Sequence, residues 1–341
     1  MIYSVNVDNV NEALAQGLRW LANRGEVSES RNGPVTVSPY PVVTCYNKPT
    51  QRVLFSPLRD ANPFFHLMEA LWMLTGSNDI AFPRRFNKRF QEYSDDGETQ
   101  WGAYGWRWRV YFGYDQLEVI VNELRSDHTS RRAVLGMWDP NEDLLRVRDG
   151  NARDVPCNTN IFFRIRDNLL DMQINNRSND VFWGAYGANA VHMSVLQEYL
   201  AFAVGVGVGR MYQSSWNFHG YNDVYPLDRY NEYATDATEN NHYAPRIRTP
   251  TIIPTPLLTA DEKPNDLLED CSNLVEGNAT FNTNFVANVA APMEQAWEAH
   301  KAKDYAEAEA LCARIRAADW RRASLEWVQR RHAKWSAKGG N

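Results

Sequence analysis

Residues 154–180 read DVPCNTNIFFRIRDNLLDMQINNRSND, and this stretch decides the class of fold. Residues 160–166 and 169–175 are strand-like runs separated by Asp167-Asn168, a pair suited to a tight turn, so a hairpin is expected. Cys157 stands at the edge of the first run, directly after Pro156, where a thiol is held still. Arg177-Ser178-Asn179-Asp180 closes the second run. An apolar helix is expected over residues 189–202 and a further strand over 210–216. Strands followed by helices in this way give a mixed α/β architecture.

The upstream sequence extends the pattern. Residues 10–22 carry Ala13, Leu14, Leu18 and Leu21 near one face of a helix. Residues 41–55 contain β-branched residues and read as strand. Asn62 is a suitable N-cap and Pro63 suits the first turn of a helix that runs through FFHLMEALWML to a C-terminal glycine, Gly76. Residues 115–125 read as helix and 133–138 as strand. Past about residue 225 the texture changes. Residues 231–266 are rich in Asn, Pro and Thr and read as loop, whereas 293–333 are helical and rich in Ala, Glu and Arg. The expected organisation is a catalytic body over 1–250 and a C-terminal loop and helical extension over 251–341.

Composition excludes several classes. The chain has 341 residues, 44% hydrophobic and 23% charged, which suits a globular protein with a substantial core. Its net charge of −6 argues against a protein that coats nucleic acid, so no DNA binding is expected. The four cysteines, Cys45, Cys157, Cys271 and Cys312, form no CxxC pair. Neither a metal site nor a disulfide framework is expected, and reduced thiols fit a cytoplasmic setting. No basic-then-apolar leader is visible at the N-terminus, and no apolar run reaches the length of a membrane span. The 12 tryptophans fit a packed core and also aromatic stacking on a flat heterocycle.

Taken alone, Cys157 suits either a buried structural thiol or a nucleophile, because reactivity needs neighbouring positive charge. Two Arg-Ser clusters flank it in sequence, Ser130-Arg131-Arg132 and Arg177-Ser178. Arginine forks beside a hydroxyl suit a phosphate monoester, although solvated surface clusters look the same in sequence.

Seven segments, in order, resemble the thymidylate synthase family, including its pyrimidine nucleotide hydroxymethylase branch. FHLMEALWMLTG over residues 65–76 resembles the helix bearing a catalytic glutamate, which implies that role for Glu69. GAYGWRWR over 102–109 implies an active-site tyrosine, Tyr104. Arg131 and Arg132 resemble the arginines lent across a dimer interface to the partner's phosphate. Pro156-Cys157 resembles the nucleophile motif. Arg177, Ser178 and Asp180 resemble the phosphate-binding pair and the aspartate near the base. Asn189 resembles the base-reading asparagine, and His219 and Tyr221 the pair that holds the sugar. The resemblance covers roughly residues 30 to 225. It implies a large mixed sheet flanked by helices, a homodimer, and 5,10-methylenetetrahydrofolate as one-carbon donor.

There are departures. Asn158 follows the nucleophile where the family usually has His. The interval from Asp180 to Asn189 is one residue longer than usual, so Ala188 competes for the base-reading place. Phe90 and Tyr93 stand where aromatics flank the folate. The chain ends in the polar KWSAKGGN instead of a short apolar tail. In the implied chemistry, a thiolate adds at C6 and C5 then attacks the one-carbon electrophile. Hydride delivery to the resulting methylene gives a methyl group, and water gives a hydroxymethyl group. Hydride transfer benefits from a dry, closed site, so the polar tail favours hydroxymethylation. A synthase making dTMP is the alternative. Uracil and cytosine both remain open, because an asparagine amide can face either. A non-catalytic nucleotide- or RNA-binding homologue and a cysteine hydrolase pairing Cys157 with His219 are the rivals from other classes.

Overall fold

The computed structural model describes residues 1–150, 152–245 and 251–339. It is an α/β protein built on an eight-stranded mixed sheet with helices flanking it. The chain begins with β1 (Tyr3–Val7) and α1 (Val10–Arg24). Asn9 caps α1 by accepting the Asn11 and Glu12 N–H groups, and Ala13, Leu14, Leu18 and Leu21 are buried as their spacing predicts. A hairpin, β2 (Glu26–Ser30) and β3 (Gly33–Val37), leads to β4 (Val42–Tyr46). The strand expected over 41–55 is therefore only five residues long.

Two helices form the centre of the molecule. In α2 (Pro63–Leu74), Asn62 accepts the Phe65 N–H and Gly76 takes a φ of 78° just past the end. Eleven of its residues are buried, so this helix is apolar on all sides and runs through the core. Then come α3 (Ala81–Phe86), α4 (Tyr104–Arg109), α5 (Gln116–Ser126), β5 (Val134–Gly136) and α6 (Asp143–Arg148). α4 sits so close to α2 that a β-carbon on Gly105 would stand 1.9 Å from the Met73 carbonyl oxygen.

β6 (Asn158–Arg166) and β7 (Leu169–Asp180) form the expected hairpin. Asp167 and Asn168 both adopt positive φ, 52° and 58°, the conformation that two-residue hairpin loops favour. A π-type turn, Val181–Ala188, joins β7 to α7 (Asn189–Val204), the second central helix, and β8 (Gly207–Tyr221) follows. The sheet order is β1-β4-β8-β7-β6-β5, with β3 pairing to β8 and β2 to β3. β1/β4 and β7/β8 are parallel and the other pairs antiparallel.

The segment 231–266 is not all loop: α8 (Tyr230–Glu239) packs on α1. Its polar surface hides the pattern, and only Tyr230, Tyr233, Ala234 and Ala237 are buried. The end of the chain forms α9 (Pro264–Glu276), α10 (Ala291–Lys301), α11 (Tyr305–Arg314) and α12 (Ala318–Ser336). These helices share one continuous hydrophobic cluster with the sheet, and α9, α10 and α12 all touch α2. None of the described helices is long and apolar enough to cross a membrane.

Candidate active site

Cys157 sits at the entrance to β6, and Arg177 on β7 builds its setting. The Arg177 N–H donates to the Cys157 carbonyl at 2.9 Å. Its guanidinium donates to the carbonyls of Pro156 and Val155, both at 2.9 Å, and lies 3.8 Å from Cys157 Sγ. Arg177 thus fixes the turn that carries the thiol and places positive charge beside it. Burial pushes the Cys157 thiol up, while Arg177 and Arg31 pull it down. Next along the chain, the Asn158 amide donates to Asn176 and its buried Oδ1 has no hydrogen-bond partner among the described residues.

The thiol opens on a cavity of about 830 Å³, of the size that holds small ligands. Tyr104, Glu69 and Asn189, all expected site residues, line the same cavity. Burial holds the Tyr104 hydroxyl well above its ordinary range, with Cys157 adding to the effect, so it is a neutral donor. Glu69 projects from α2 toward His192 on α7. The Oε2–Nε2 distance is 3.0 Å but out of line for a hydrogen bond, so among the described residues Glu69 Oε2 and both His192 ring nitrogens lack hydrogen-bond partners. Unsatisfied buried polar atoms are costly and mark places where a ligand or water is expected. Burial, with Arg59 and His192 nearby, holds His66 well below its usual range and neutral.

Both Ala188 and Asn189 border the cavity, but only Asn189 carries an amide. Its Nδ2 donates to Asn179 Oδ1 at 3.4 Å, and Asn179 donates to Ser215 at 3.0 Å. The preceding π-type turn contains non-helical backbone at Tyr186 and Gly187. The extra residue between Asp180 and Asn189 falls within this kinked turn.

Asp180 begins that turn. Its Oδ1 accepts the Phe182 and Trp183 N–H groups at 2.9 and 2.6 Å, while its buried Oδ2 has no hydrogen-bond partner among the described residues. Burial raises this carboxyl and lowers the neighbouring His219 imidazole, which faces it across the β7/β8 pair. His219 Nδ1 lies 2.8 Å from Asn217 Oδ1. Tyr221 lines a second compartment of about 720 Å³ with Arg31 and Asp223. Arg89, Tyr93, Trp183 and Val224 border both spaces. Ser178 pairs with Asn217 on the sheet and lines neither of them.

Arg131 and Arg132 are not brought to Cys157 within one chain. Arg131 lines a separate groove over the sheet with Phe162, Arg164 and Tyr212. Arg132 is 79% exposed and paired with Glu123 at 2.8 Å. Several cavity residues escaped the sequence reading. Arg31 comes from the β2/β3 turn and His192 lies one helical turn after Asn189. Arg59 donates twice to the Phe182 carbonyl and so holds the π-type turn. Arg331 reaches the cavity from α12, beside Asp60, which also pairs with Arg330 and Lys334.

The cavity fits a folate in chemistry. Phe65, Phe90, Tyr93 and Met73 offer apolar and aromatic walls for a pterin and an aryl ring, Glu69 and His192 offer unpartnered polar atoms, and Arg331 offers positive charge for a carboxylate.

The thymidylate synthase family profile matches residues 14–250. A protein of Pseudomonas phage M6 named deoxyuridylate hydroxymethyltransferase is 44% identical over 98% of this chain and 96% of its own length. Proteins of the same name from Bacillus phage SP01 and Delftia phage PhiW-14 are 35% and 32% identical over 54% and 59% of this chain. On the span of the family match and of its relatives, the chain belongs to the thymidylate synthase family.

Proposed function

We propose that this protein transfers a one-carbon unit from 5,10-methylenetetrahydrofolate to C5 of dUMP and releases 5-hydroxymethyl-dUMP. The observation that carries this reading is the meeting of Cys157, Tyr104, Glu69 and Asn189 around one cavity, with Arg177 against the thiol. Similarity to deoxyuridylate hydroxymethyltransferases over nearly the whole chain supports the hydroxymethyl product.

The nucleotide's phosphate is assigned to Arg31 and Arg177, with Arg131 and Arg132 supplied by the partner in a homodimer, while Ser178, which lines neither compartment, is left out of this assignment. Anchoring the distant phosphate positions the ring over Cys157. His219 and Tyr221 hold the sugar. Because Asn189 Nδ2 is engaged with Asn179, its Oδ1 remains to accept. An acceptor matches the N3–H of uracil and opposes the bare N3 of cytosine, which favours dUMP.

Cys157 attacks C6 as a thiolate, so its burial must be offset on binding, when the ring and phosphate order the surrounding charges. Glu69 with His192 moves protons at the pyrimidine's C4 oxygen. Asp180 holds the π-type turn and orients its neighbours at the base. Tyr104, kept neutral by burial beside Cys157, donates a hydrogen bond into the cavity. The folate supplies carbon at the methylene level. α12 meets the cavity with charged Arg331 beside Asp60, and a polar wall favours water over hydride as the terminating group.

The direct test incubates the enzyme with methylenetetrahydrofolate and dUMP or dCMP and identifies the nucleotide by mass spectrometry. Hydroxymethyl-dUMP, abolished by Cys157→Ala, is expected. A methyl nucleotide with dihydrofolate would make the protein a synthase. Nucleotide binding without turnover in the native enzyme would make it a binding homologue.

A further inference from the structure

Asp154 has no part in the chemistry described so far. It lies three residues ahead of Cys157 and lines the same cavity as Cys157, Tyr104 and Glu69. Its Oδ2 accepts the Gly102 N–H at 2.6 Å. A β-carbon at Gly102 would stand 2.7 Å from Oδ1, so the carboxyl lies directly against this stretch of backbone. Among the described residues Oδ1 accepts no hydrogen bond, and no Lys or Arg forms an ion pair with the carboxyl. A carboxylate held by one backbone donor, with its other oxygen at a ligand-sized cavity, is built to take a proton from something in that cavity.

We propose that Asp154 is the general base that activates the water which ends the reaction. The assignment rests on the hydroxymethyl-transfer reading above. After one-carbon transfer, the nucleotide is bound through C6 to Cys157 and carries an exocyclic methylene on C5, conjugated with the C4 carbonyl. Water oxygen bonds to the methylene carbon while Asp154 takes its proton. The methylene π pair moves onto the C4 oxygen as an enolate. That pair then returns to restore C4=O and form C5=C6, the C6–S bond breaks, and Cys157 leaves as thiolate. Nothing is oxidised or reduced, and the proton ends on Asp154.

The surroundings suit the role. Asp95, Asp143 and Arg107 face the carboxyl from the protein side and Tyr104 and Cys157 from the cavity. Burial, with Asp95 and Asp143 adding, lifts Asp154 to about 6 against the pull of the Gly102 N–H and Arg107. A base in that range is mostly ionised at neutral pH yet basic enough to accept a proton.

The test is Asp154→Asn in single turnover with nucleotide tritiated at C5. Tritium release reports loss of the C5 proton, and mass spectrometry reports hydroxymethyl nucleotide. Product formation is expected to slow about 100-fold relative to tritium release, with a nucleotide-plus-methylene adduct accumulating on Cys157 by intact-protein mass. Equal slowing of both rates, or no slowing, would overturn the assignment. If Asp154→Asn does not fold, the same rates are read in Asp154→Ala with and without formate. Rescue of product formation alone supports the assignment and no rescue overturns it. A native enzyme that makes no hydroxymethyl nucleotide would instead refute the functional reading beneath it.

Discussion

Replacing Asp154 with Asn should stabilise the free enzyme, and only above mildly acidic pH. The carboxyl is raised from 3.8 to about 6 in the folded protein. The folded state therefore binds this proton more tightly than the unfolded chain. Its stabilising effect is full below pH 4 and is lost as pH rises through 6. At about 1.4 kcal/mol per pKa unit, two units give roughly 3 kcal/mol. Opening of the side chain on the cavity reduces this to about 2 kcal/mol. Asn has no charge to desolvate and can still accept the Gly102 N–H. Urea unfolding at fixed protein concentration should show the two proteins nearly equal at pH 3 and the variant ahead by about 2 kcal/mol at pH 8, with most of the change between about pH 4 and 6, the unfolded and folded values of the carboxyl. A difference that is constant with pH, or that favours the native protein at pH 8, would refute the buried-carboxyl argument.

Arg107 and Asp143 form a fully buried ion pair at 2.8 Å, with Tyr111 3.8 Å from the guanidinium. Arg107→Met should cost about 3–5 kcal/mol in urea unfolding because Asp143 is left buried and unpaired. Arg177→Gln should push the Cys157 thiol still higher, since it removes the charge that opposes burial. The pH midpoint for iodoacetamide alkylation should move up, and an unchanged midpoint would show that Arg177 does not act on the thiol. Mixing inactive Cys157→Ala subunits with inactive Arg131→Ala/Arg132→Ala subunits should restore about a quarter of native activity, because half the random dimers then hold one complete site. Lack of complementation would place the arginines outside the shared site.

The centre of the fold was legible because its rules are local. Asn62-Pro63 at one end of α2 and Gly76 at the other end fix a helix by capping alone, and Asp167-Asn168 fixes the β6/β7 register by its turn geometry. β2 was not legible because all five of its residues are exposed, so it carries no alternation. α8 resembles loop in sequence because its few buried residues, Tyr230, Tyr233, Ala234 and Ala237, lie within a polar run. At the site, the motifs marked Cys157, Tyr104, Glu69 and Asn189, which meet in space. Arg131 and Arg132 were marked equally clearly yet lie away from the cavity of their own chain. Asp154 gave no signal, since its backbone partner, Gly102, lies 52 residues earlier in the chain. Arg331 is similar: only the packing of α12 on α2 brings it to the cavity wall.

The central claim is that water, not hydride, completes the transfer. The most direct measurement runs the reaction with dUMP and methylenetetrahydrofolate in water enriched in oxygen-18 and weighs the nucleotide. The account predicts a hydroxymethyl product carrying one heavy oxygen on the C5 substituent, with tetrahydrofolate released. A methyl product without heavy oxygen, accompanied by dihydrofolate, would contradict it.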